Sequence, residues 1–332
     1  MSKYTDAVTT SHTLSLTAME EASRFGQRTA DIDHMFLALV VSEQIAGRVL
    51  RNMGITLEAA RDAVAEQHSA QLASLGINSE SASQGRIVFH ETGGYEWSDR
   101  ALVVIKRASD GEKRGDAAAV LRELATEPSG LIEQVLQRLG STSDAAIAML
   151  DEVEGDPAFT PQRIVQPGRL SGVCEAFAPA AVEQVWELLA DPMRMPVWEP
   201  DVGDVISEEA RSEIQIGDSW TARARTQRSD GKPIRVKAEY QAQTIELVAR
   251  KDETLIEWRF TYPDSPRANA KRIRIELEPA AGGTQLRISL VWERNTNRPS
   301  RPILRLLIRP LVHFGIWMQL SQLCGGISRA FR

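Results

Sequence analysis

Apolar and polar residues follow different periods in the two halves of the chain. Before residue 152, apolar side chains recur every three or four positions, as in residues 35–40, and glycines end two such runs at Gly54 and Gly140. This spacing places apolar side chains on one side of a helix, and a glycine is a common helix terminator. Helices follow the same order twice, with the glycine after the third helix of each set, so the pattern predicts a double helical repeat.

After residue 168 the pattern changes to alternation. Residues 169–177 resemble a strand, residues 179–189 a helix, and residues 302–329 a long apolar helix. Between the two helices, five runs alternate apolar with polar residues, which is typical of half-buried strands. These runs are residues 218–226, 234–243, 254–262, 271–278 and 285–293. This order predicts an α+β domain with an antiparallel sheet.

Composition supports a division into two domains. Residues 153–168 contain three prolines and two glycines, which predicts a linker between domains 1–152 and 169–332. Of the net charge of −6, residues 163–332 contribute 25 basic and 21 acidic side chains, and the first 162 residues contribute 14 and 24. The small basic excess of the second half, net +4, is spread out, so nucleic-acid binding is not expected.

The alternating runs predict one apolar and one charged sheet face. The charged face is expected to be solvated Arg/Glu pairs. The inner face has no His, Asp, Glu, Lys or Cys by our assignment, so we expect a binding pocket without acid–base catalysis. Aromatic side chains of the strands and of the final helix are its expected lining. These are Trp220, Tyr240, Trp258, Phe260 and Trp292, with His313, Phe314 and Trp317 on the helix. The alternative is that the aromatic side chains simply fill the core.

Cofactors, metals and membrane spans are not expected. Cys174 and Cys324 are too few for a disulfide framework or a four-ligand zinc site, and we expect both to be small apolar residues. Arg305 and Arg309 make the final helix a poor membrane span. The N-terminus has no signal-peptide pattern, so a reducing cytoplasm is the expected compartment.

Two segments of the first half resemble a known family. The run RTADIDHMFLALV at 28–40, followed by AGRVLRNMG at 46–54, resembles the Clp N-terminal repeat, and QVLQRLG at 134–140 is similar to its second copy. The resemblance covers about residues 5–152 and implies an all-α double repeat that recruits substrates and adaptors to an unfoldase. The chain has no Gly-x-x-x-x-Gly-Lys-Ser/Thr phosphate loop, so it resembles free-standing Clp-repeat proteins without the ATPase.

The Clp resemblance also implies recognition residues. Some members bind phosphorylated arginine through a Glu at the start of the second helix of each repeat. Asp33, followed by His34, occupies that place in the first repeat, whereas Asp116 and two alanines replace the motif in the second. A ligand contact at Asp33 and His34 is therefore one interpretation. The alternative is that Asp33 caps a helix and His34 packs beneath it.

The second half resembles another family. The run APAAVEQVWELLADPMRMPVWEP at 178–200 and the later IGDSW at 216–220 are similar to the SRPBCC superfamily, close to its polyketide cyclase/dehydrase-like branch. The resemblance covers about residues 165–330. It implies a helix-grip fold, in which a curved antiparallel sheet surrounds a long C-terminal helix and leaves a cavity for an apolar small molecule or lipid. Only some members are enzymes.

Together these observations predict a non-enzymatic binding protein. The preferred hypothesis is an adaptor, decoy or ligand sensor of the Clp protease system, whose repeat binds a protein or peptide, such as a Clp component or substrate. An aromatase/cyclase-like enzyme is one alternative, which a titratable group such as His313 in the cavity would favour. A carrier of a hydrophobic ligand or lipid is the other.

Overall fold

The computed structural model of the chain describes residues 3–77, 85–88, 94–111, 113–154, 170–206, 214–228, 231–295 and 302–332. For residues 3–9 and 302–310 it describes the backbone alone. The chain divides into two compact units, Met1–Pro161 and Gln162–Arg332, here called the helical unit and the sheet unit. Of the predicted linker 153–168, only residues 153 and 154 lie within the described residues.

The helical unit contains two successive sets of four helices. The first set is α1 (Lys3–Ser23), α2 (Ile32–Val40), α3 (Ile45–Asn52) and α4 (Leu57–Ser74). The second is α5 (Asp99–Ser109), α6 (Ala117–Ala125), α7 (Leu131–Arg138) and α8 (Ser143–Glu154). Gly54 after α3 and Gly140 after α7 both have positive φ, so the two glycines end corresponding helices.

Two short strands join the sets of helices, so the prediction of helices alone is wrong in this detail. β1 (Thr29–Ala30) pairs in parallel with β2 (Glu96–Trp97). The helix α2, which begins directly after β1, is buried over its whole length. Polar residues cap the neighbouring helices: Thr56 caps α4 and Asp116 caps α6, each accepting a backbone N–H.

The sheet unit is a seven-stranded antiparallel sheet with a long final helix, which is consistent with a helix grip. Its strands are β3 (Leu170–Ala178), β4 (Val202–Ile206), β5 (Ser219–Ala224), β6 (Ala242–Lys251), β7 (Leu255–Thr261), β8 (Ala270–Ala280) and β9 (Gly283–Glu293). Their order in the sheet is β3-β9-β8-β7-β6-β5-β4. Two helices, α9 (Val182–Ala190) and α10 (Met195–Trp198), connect β3 to β4, and α11 (Pro302–Arg329) follows β9.

One predicted strand is wrong. Residues 231–237 are irregular apart from a bridge at Pro233, and residues 238–240 form a 3-10 turn, whereas the strand β6 begins only at Ala242. The 3-10 turn shifts the inward positions from even to odd numbers, because β6 buries Gln243, Ile245 and Leu247. Tyr240 therefore lies in a turn and not on the inner face of a strand.

The helix α11 packs closely on β3 and on the short helix α10. A Cβ added at Gly172 of β3 would come within 2.7 Å of the Ile316 and Leu320 side chains, and one at Gly326 within 2.7 Å of the Trp198 carbonyl oxygen. These approaches explain why glycine occupies both positions.

A disulfide joins Cys174 of β3 to Cys324 of α11. The expectation that both cysteines are ordinary apolar residues is therefore wrong. The sequence did not indicate the pair because 150 residues separate the two cysteines, and only the packing of α11 on β3 brings them together. Of the helices in the described part of the chain, none has the length and hydropathy needed to cross a bilayer.

Candidate functional site

The predicted strand aromatic residues lie together in the core of the sheet unit, with the exception of Tyr240. Trp220, Trp258 and Phe260 are buried, and Trp220 meets Trp258 edge to face at 5.8 Å between ring centroids. The indole N–H of Trp258 donates to the Leu189 carbonyl at 3.1 Å, and that of Trp292 to the Gln319 side chain at 3.2 Å. Both indole N–H groups therefore have hydrogen-bond partners within the protein.

The predicted helix residues lie elsewhere. His313 and Phe314 are exposed on α11, so they do not line the interior, and Trp317 is half-buried beside Phe314. Tyr240 contacts Tyr262 edge to face at 5.3 Å. The structure thus separates the predicted pocket lining into a buried strand group and an exposed helix group.

One transverse row of the inner sheet face contains a charged residue. Strand pairing places Trp220, Ile245, Phe260, Lys271, Trp292 and Leu170 side by side across six strands. Lys271 is 1% exposed. Our assignment of an inner face without titratable groups is therefore wrong. Lys271 is two positions before the inward Ile273 on the same strand, so the alternation in the sequence already placed it on the inner face.

Two carboxylates hold the Lys271 ammonium. Its Nζ lies 3.1 Å from Glu199 Oε1 and 2.9 Å from Asp201 Oδ2, and 4.7 Å from the centroid of the Phe260 ring. Burial alone would lower the pKa of Lys271, but the charges of Glu199 and Asp201 more than offset it and raise the pKa above its ordinary value. Lys271 is therefore a fixed cation in an apolar row.

Three buried polar atoms, in Glu199 and in two residues linked to it, Trp198 by sequence and Gln243 through Asp201, have no hydrogen-bond partner among the described residues. They are Trp198 Nε1, Glu199 Oε2 and Gln243 Oε1. Asp201 connects the segments that carry them, since its N–H donates to Glu199 Oε1 at 3.0 Å and its carbonyl accepts from Gln243 Nε2 at 3.3 Å. Unsatisfied buried groups are rare in folded proteins, so these atoms indicate an additional partner such as a ligand or water.

Tyr262 adds a phenol to the same region, because the charges of Lys271, Asp201 and Glu199 all act on it. Burial raises the pKa of Tyr262 above its ordinary value, although the cation opposes that change. We call Trp198, Glu199, Asp201, Gln243, Tyr262 and Lys271 the polar corner. It offers a fixed cation, carboxylate and amide acceptors, and an indole donor at one end of an apolar interior.

A separate surface pocket of about 590 Å³ lies on the segments next to Asp201 and Gln243. Its lining is largely polar and includes Asp204, Arg223 and Asp264. Arg223 belongs to the exposed side of β5, so this pocket is on the outer face of the sheet and differs from the apolar interior cavity that the sequence predicts.

Asp33 and His34 lie at the first turn of α2 in the helical unit, and both are buried. Asp33 Oδ1 accepts the His34 backbone N–H at 2.8 Å, and Asp33 Oδ2 lies 3.1 Å from His68 Nε2. Burial would raise the pKa of Asp33, but the hydrogen bonds from His34 and His68 hold it well below its usual range. His68, on α4, was not predicted because 35 positions separate it from Asp33.

Asp31, and not Asp33, is the N-cap of α2, so the helix-cap alternative is wrong for Asp33. The side chain of Asp31 accepts from the Ile32 N–H, and the His34 ring accepts the Asp31 N–H at 3.2 Å. Asp31 also binds Arg100 of α5 through two Nε contacts of 2.7 and 2.8 Å. Burial opposes ionisation, but Arg100 and Ser98 lower the pKa of Asp31.

Within the ranges that the structure describes, no group of three or more His, Cys, Asp or Glu side chains is arranged to hold a metal ion.

Comparison with known proteins supports a domain of one family in the sheet unit. Residues 175–315 match the family described as "Polyketide cyclase / dehydrase and lipid transport", so this part of the chain is similar to that family. The match does not extend to the helical unit, and the Clp-type assignment of residues 5–152 receives no support from it. No curated protein matches the chain.

Solved structures similar to the chain cover about half of it. Protein CV1439 from Chromobacterium violaceum is 16% identical, with 48% of this chain and 96% of that chain covered and a TM-score of 0.31. Ms6760 from Mycobacterium smegmatis is 17% identical, with 51% and 96% covered and a TM-score of 0.34. SA2116 from Staphylococcus aureus is 11% identical, with 48% and 92% covered and a TM-score of 0.36.

Proposed function

We propose that the sheet unit binds an apolar small molecule or lipid that carries a hydroxyl group, and that the hydroxyl lies at the polar corner. The observation that carries this proposal is the set of unpartnered buried atoms Trp198 Nε1, Glu199 Oε2 and Gln243 Oε1, of which the Glu199 carboxylate lies beside the fixed cation of Lys271. The match of residues 175–315 to a family that includes lipid transport supports a hydrophobic ligand.

The chemistry of these atoms favours a hydroxyl. Glu199 Oε2 and Gln243 Oε1 are acceptors and require a donor, whereas Trp198 Nε1 is a donor and requires an acceptor. A hydroxyl both donates and accepts. Each buried polar atom left unpaired costs about 1–3 kcal/mol, so a ligand that satisfies one gains a comparable amount. The aromatic side chains beside the polar corner would contact the apolar body of the ligand.

The test compares two probes of similar shape, 2-naphthol and 2-methylnaphthalene, in isothermal titration calorimetry with the full chain. We expect 2-naphthol to bind about ten- to a hundredfold more tightly, because a hydrogen bond to a charged group contributes about 1.5–3 kcal/mol. Glu199→Gln should reduce this preference. Arg274→Gln, a change at an exposed position of β8, should leave it unchanged. Equal affinity of the wild type for the two probes would exclude the polar corner as a hydroxyl site.

Acid–base catalysis at the polar corner is a second candidate function, since the sequence argument against an enzyme rested on an inner face without titratable groups. Burial raises the pKa of Glu199, although Lys271 opposes that change, and a carboxyl of raised pKa is suited to proton transfer. The matching family includes cyclases and dehydrases. Dehydration of the β-hydroxyketone 4-hydroxy-4-phenylbutan-2-one to its conjugated enone, followed by ultraviolet absorbance, tests this. The wild type should accelerate it and Glu199→Gln should not.

The helical unit is proposed as a protein-recognition module of the Clp type, which would make the chain an adaptor, decoy or ligand sensor of that protease system. The repeated order of four helices, with corresponding glycines Gly54 and Gly140, supports this. The buried anion Asp33 with the half-exposed His68 is the proposed contact. Binding of a purified Clp ATPase to the wild type, and its loss in Asp33→Asn, is expected in surface plasmon resonance. No binding by the wild type would contradict the Clp role.

A further inference from the structure

The middle of α11, residues 311–318, exposes an apolar stripe that the sheet unit does not cover. Leu311, Phe314 and Met318 are 72%, 55% and 43% exposed. They are separated by three and four residues, so they lie on one side of the helix. Large apolar side chains grouped in this way indicate a surface that meets another apolar phase or partner.

A different side of α11 packs within the sheet unit. Its buried residues are Ile316, Leu320, Leu323 and Ile327, also separated by three or four positions. Phe314 and Ile316 are two positions apart, as are Met318 and Leu320, so the exposed stripe lies opposite the packed side. Val312, four positions before Ile316, also packs against the core, so the exposed side and the packed side run along the same part of the helix. The exposed stripe is therefore separate from the side of the helix that forms part of the core.

Charge identifies the partner that fits this stripe. Residues 302–332 contain four arginines and one histidine but no Asp, Glu or Lys, whereas residues 163–301 contain 21 acidic side chains. Positions 305, 309 and 313, which hold Arg, Arg and His, follow one another at intervals of four. At about 100° per residue, positions 305 and 309 lie opposite Phe314, and position 313 lies about a quarter of a turn from it. A helix with a cationic side and an apolar side that contains Phe and Leu is typical of helices that lie in a membrane interface.

We propose that α11 docks on an anionic membrane surface through its exposed stripe. Leu311, Phe314 and Met318 would enter the boundary between headgroups and acyl chains, and the cationic side would meet anionic lipid headgroups. A protein groove or a second copy would bury the apolar stripe equally well, but neither accounts for a helix whose charged residues are all basic. The proposal does not depend on the ligand proposed for the polar corner.

The test is co-sedimentation of the full chain with vesicles of phosphatidylcholine alone or mixed with phosphatidylglycerol. Two arginines near a negative surface should raise the partition coefficient about thirtyfold on the anionic vesicles, and Arg305→Gln with Arg309→Gln should remove that gain. Leu311→Ser, Phe314→Ser and Met318→Ser together should reduce binding at least about tenfold, because these changes remove the apolar surface that would be buried in the membrane. Arg329→Gln, at the opposite end of the same helix, is the matched control and should bind within about twofold of the wild type.

Circular dichroism of each variant establishes that the fold is kept, since the three apolar residues are exposed. Equal binding to neutral and anionic vesicles would overturn the proposal, as would unchanged binding by the apolar variant. A wild-type dimer in size-exclusion chromatography that the apolar variant converts to a monomer, without vesicle binding by either, would assign the stripe to a second copy instead.

Discussion

Replacing Lys271 by Met should strongly destabilise the sheet unit. The change keeps the apolar stem and removes the cation, so Glu199, which is 1% exposed, remains as a buried charge without compensation. Removing one partner of a buried ion pair costs about 3–5 kcal/mol. The second carboxylate contributes little to this cost, because the Asp201 side chain is 45% exposed and stays hydrated.

The double variant Glu199→Gln/Lys271→Met separates the charge effect from packing. It removes both charges, so most of the lost stability should return and the coupling between the two changes should be about 2–3 kcal/mol. Urea denaturation followed by tryptophan fluorescence measures this, since six of the seven tryptophans lie in the sheet unit. Arg274→Met is the surface control, because its side chain is 46% exposed and its ion pair with the exposed Glu276 is worth less than about 1 kcal/mol.

The dependence on pH provides a second measurement. In Lys271→Met, burial raises the pKa of Glu199 above the ordinary 4.5 and no cation opposes it. The folded state then binds a proton that the unfolded state releases, so the stability of the variant should rise as pH falls from about 7 towards that value. A loss below about 1 kcal/mol in Lys271→Met, or additive effects in the double variant, would show that the pair is not buried and coupled as described.

Two further predictions follow from the packing of α11 and from the helical unit. Gly326→Ala should cost about 1–3 kcal/mol in urea denaturation, because its Cβ would meet the Trp198 carbonyl oxygen at 2.7 Å. Gly325→Ala meets nothing closer than 3.8 Å and should be neutral or stabilising by up to about 1 kcal/mol, so equal losses in both variants would contradict this reasoning. The hydrogen bond to Asp33 raises the pKa of His68, so its stabilisation is complete below the ordinary value of 6.5 and is lost as pH rises through the raised pKa. His68→Gln should abolish this pH dependence in thermal melts, an effect below about 1 kcal/mol because His68 is partly exposed.

Regular elements with long runs of one period could be predicted from the sequence. The final helix was predicted at residues 302–329, which are the bounds of α11, and the alternating runs at 254–262, 271–278 and 285–293 correspond to β7, β8 and β9. In these elements burial, periodicity and local propensity agree. The strand predicted at 234–243 is wrong because a 3-10 turn precedes β6 and changes which alternate residues point inward. Alternation of apolar and polar residues cannot reveal such a turn.

The candidate site was predicted less well, for two physical reasons. Lys271 was overlooked although its parity placed it inward, because a lysine is rarely buried unless paired and its partners are 72 and 70 positions away. His68 meets Asp33 only through the packing of α4 against α2. Long-range pairs of this kind depend on tertiary structure, whereas the aromatic row depends on strand alternation and was largely anticipated.

The disulfide between Cys174 and Cys324 has a mechanical consequence for the sheet unit. It closes a loop of 150 residues that contains about half of β3, the other six strands and most of α11. A pulling force applied outside this loop would be carried by the covalent bond rather than by the hydrogen bonds between strands. At about 3.3–3.6 Å per residue, the intact disulfide would prevent roughly 500 Å of chain from being extended. A protein that unfolds the chain by pulling on one end could extend these residues only after the disulfide is reduced.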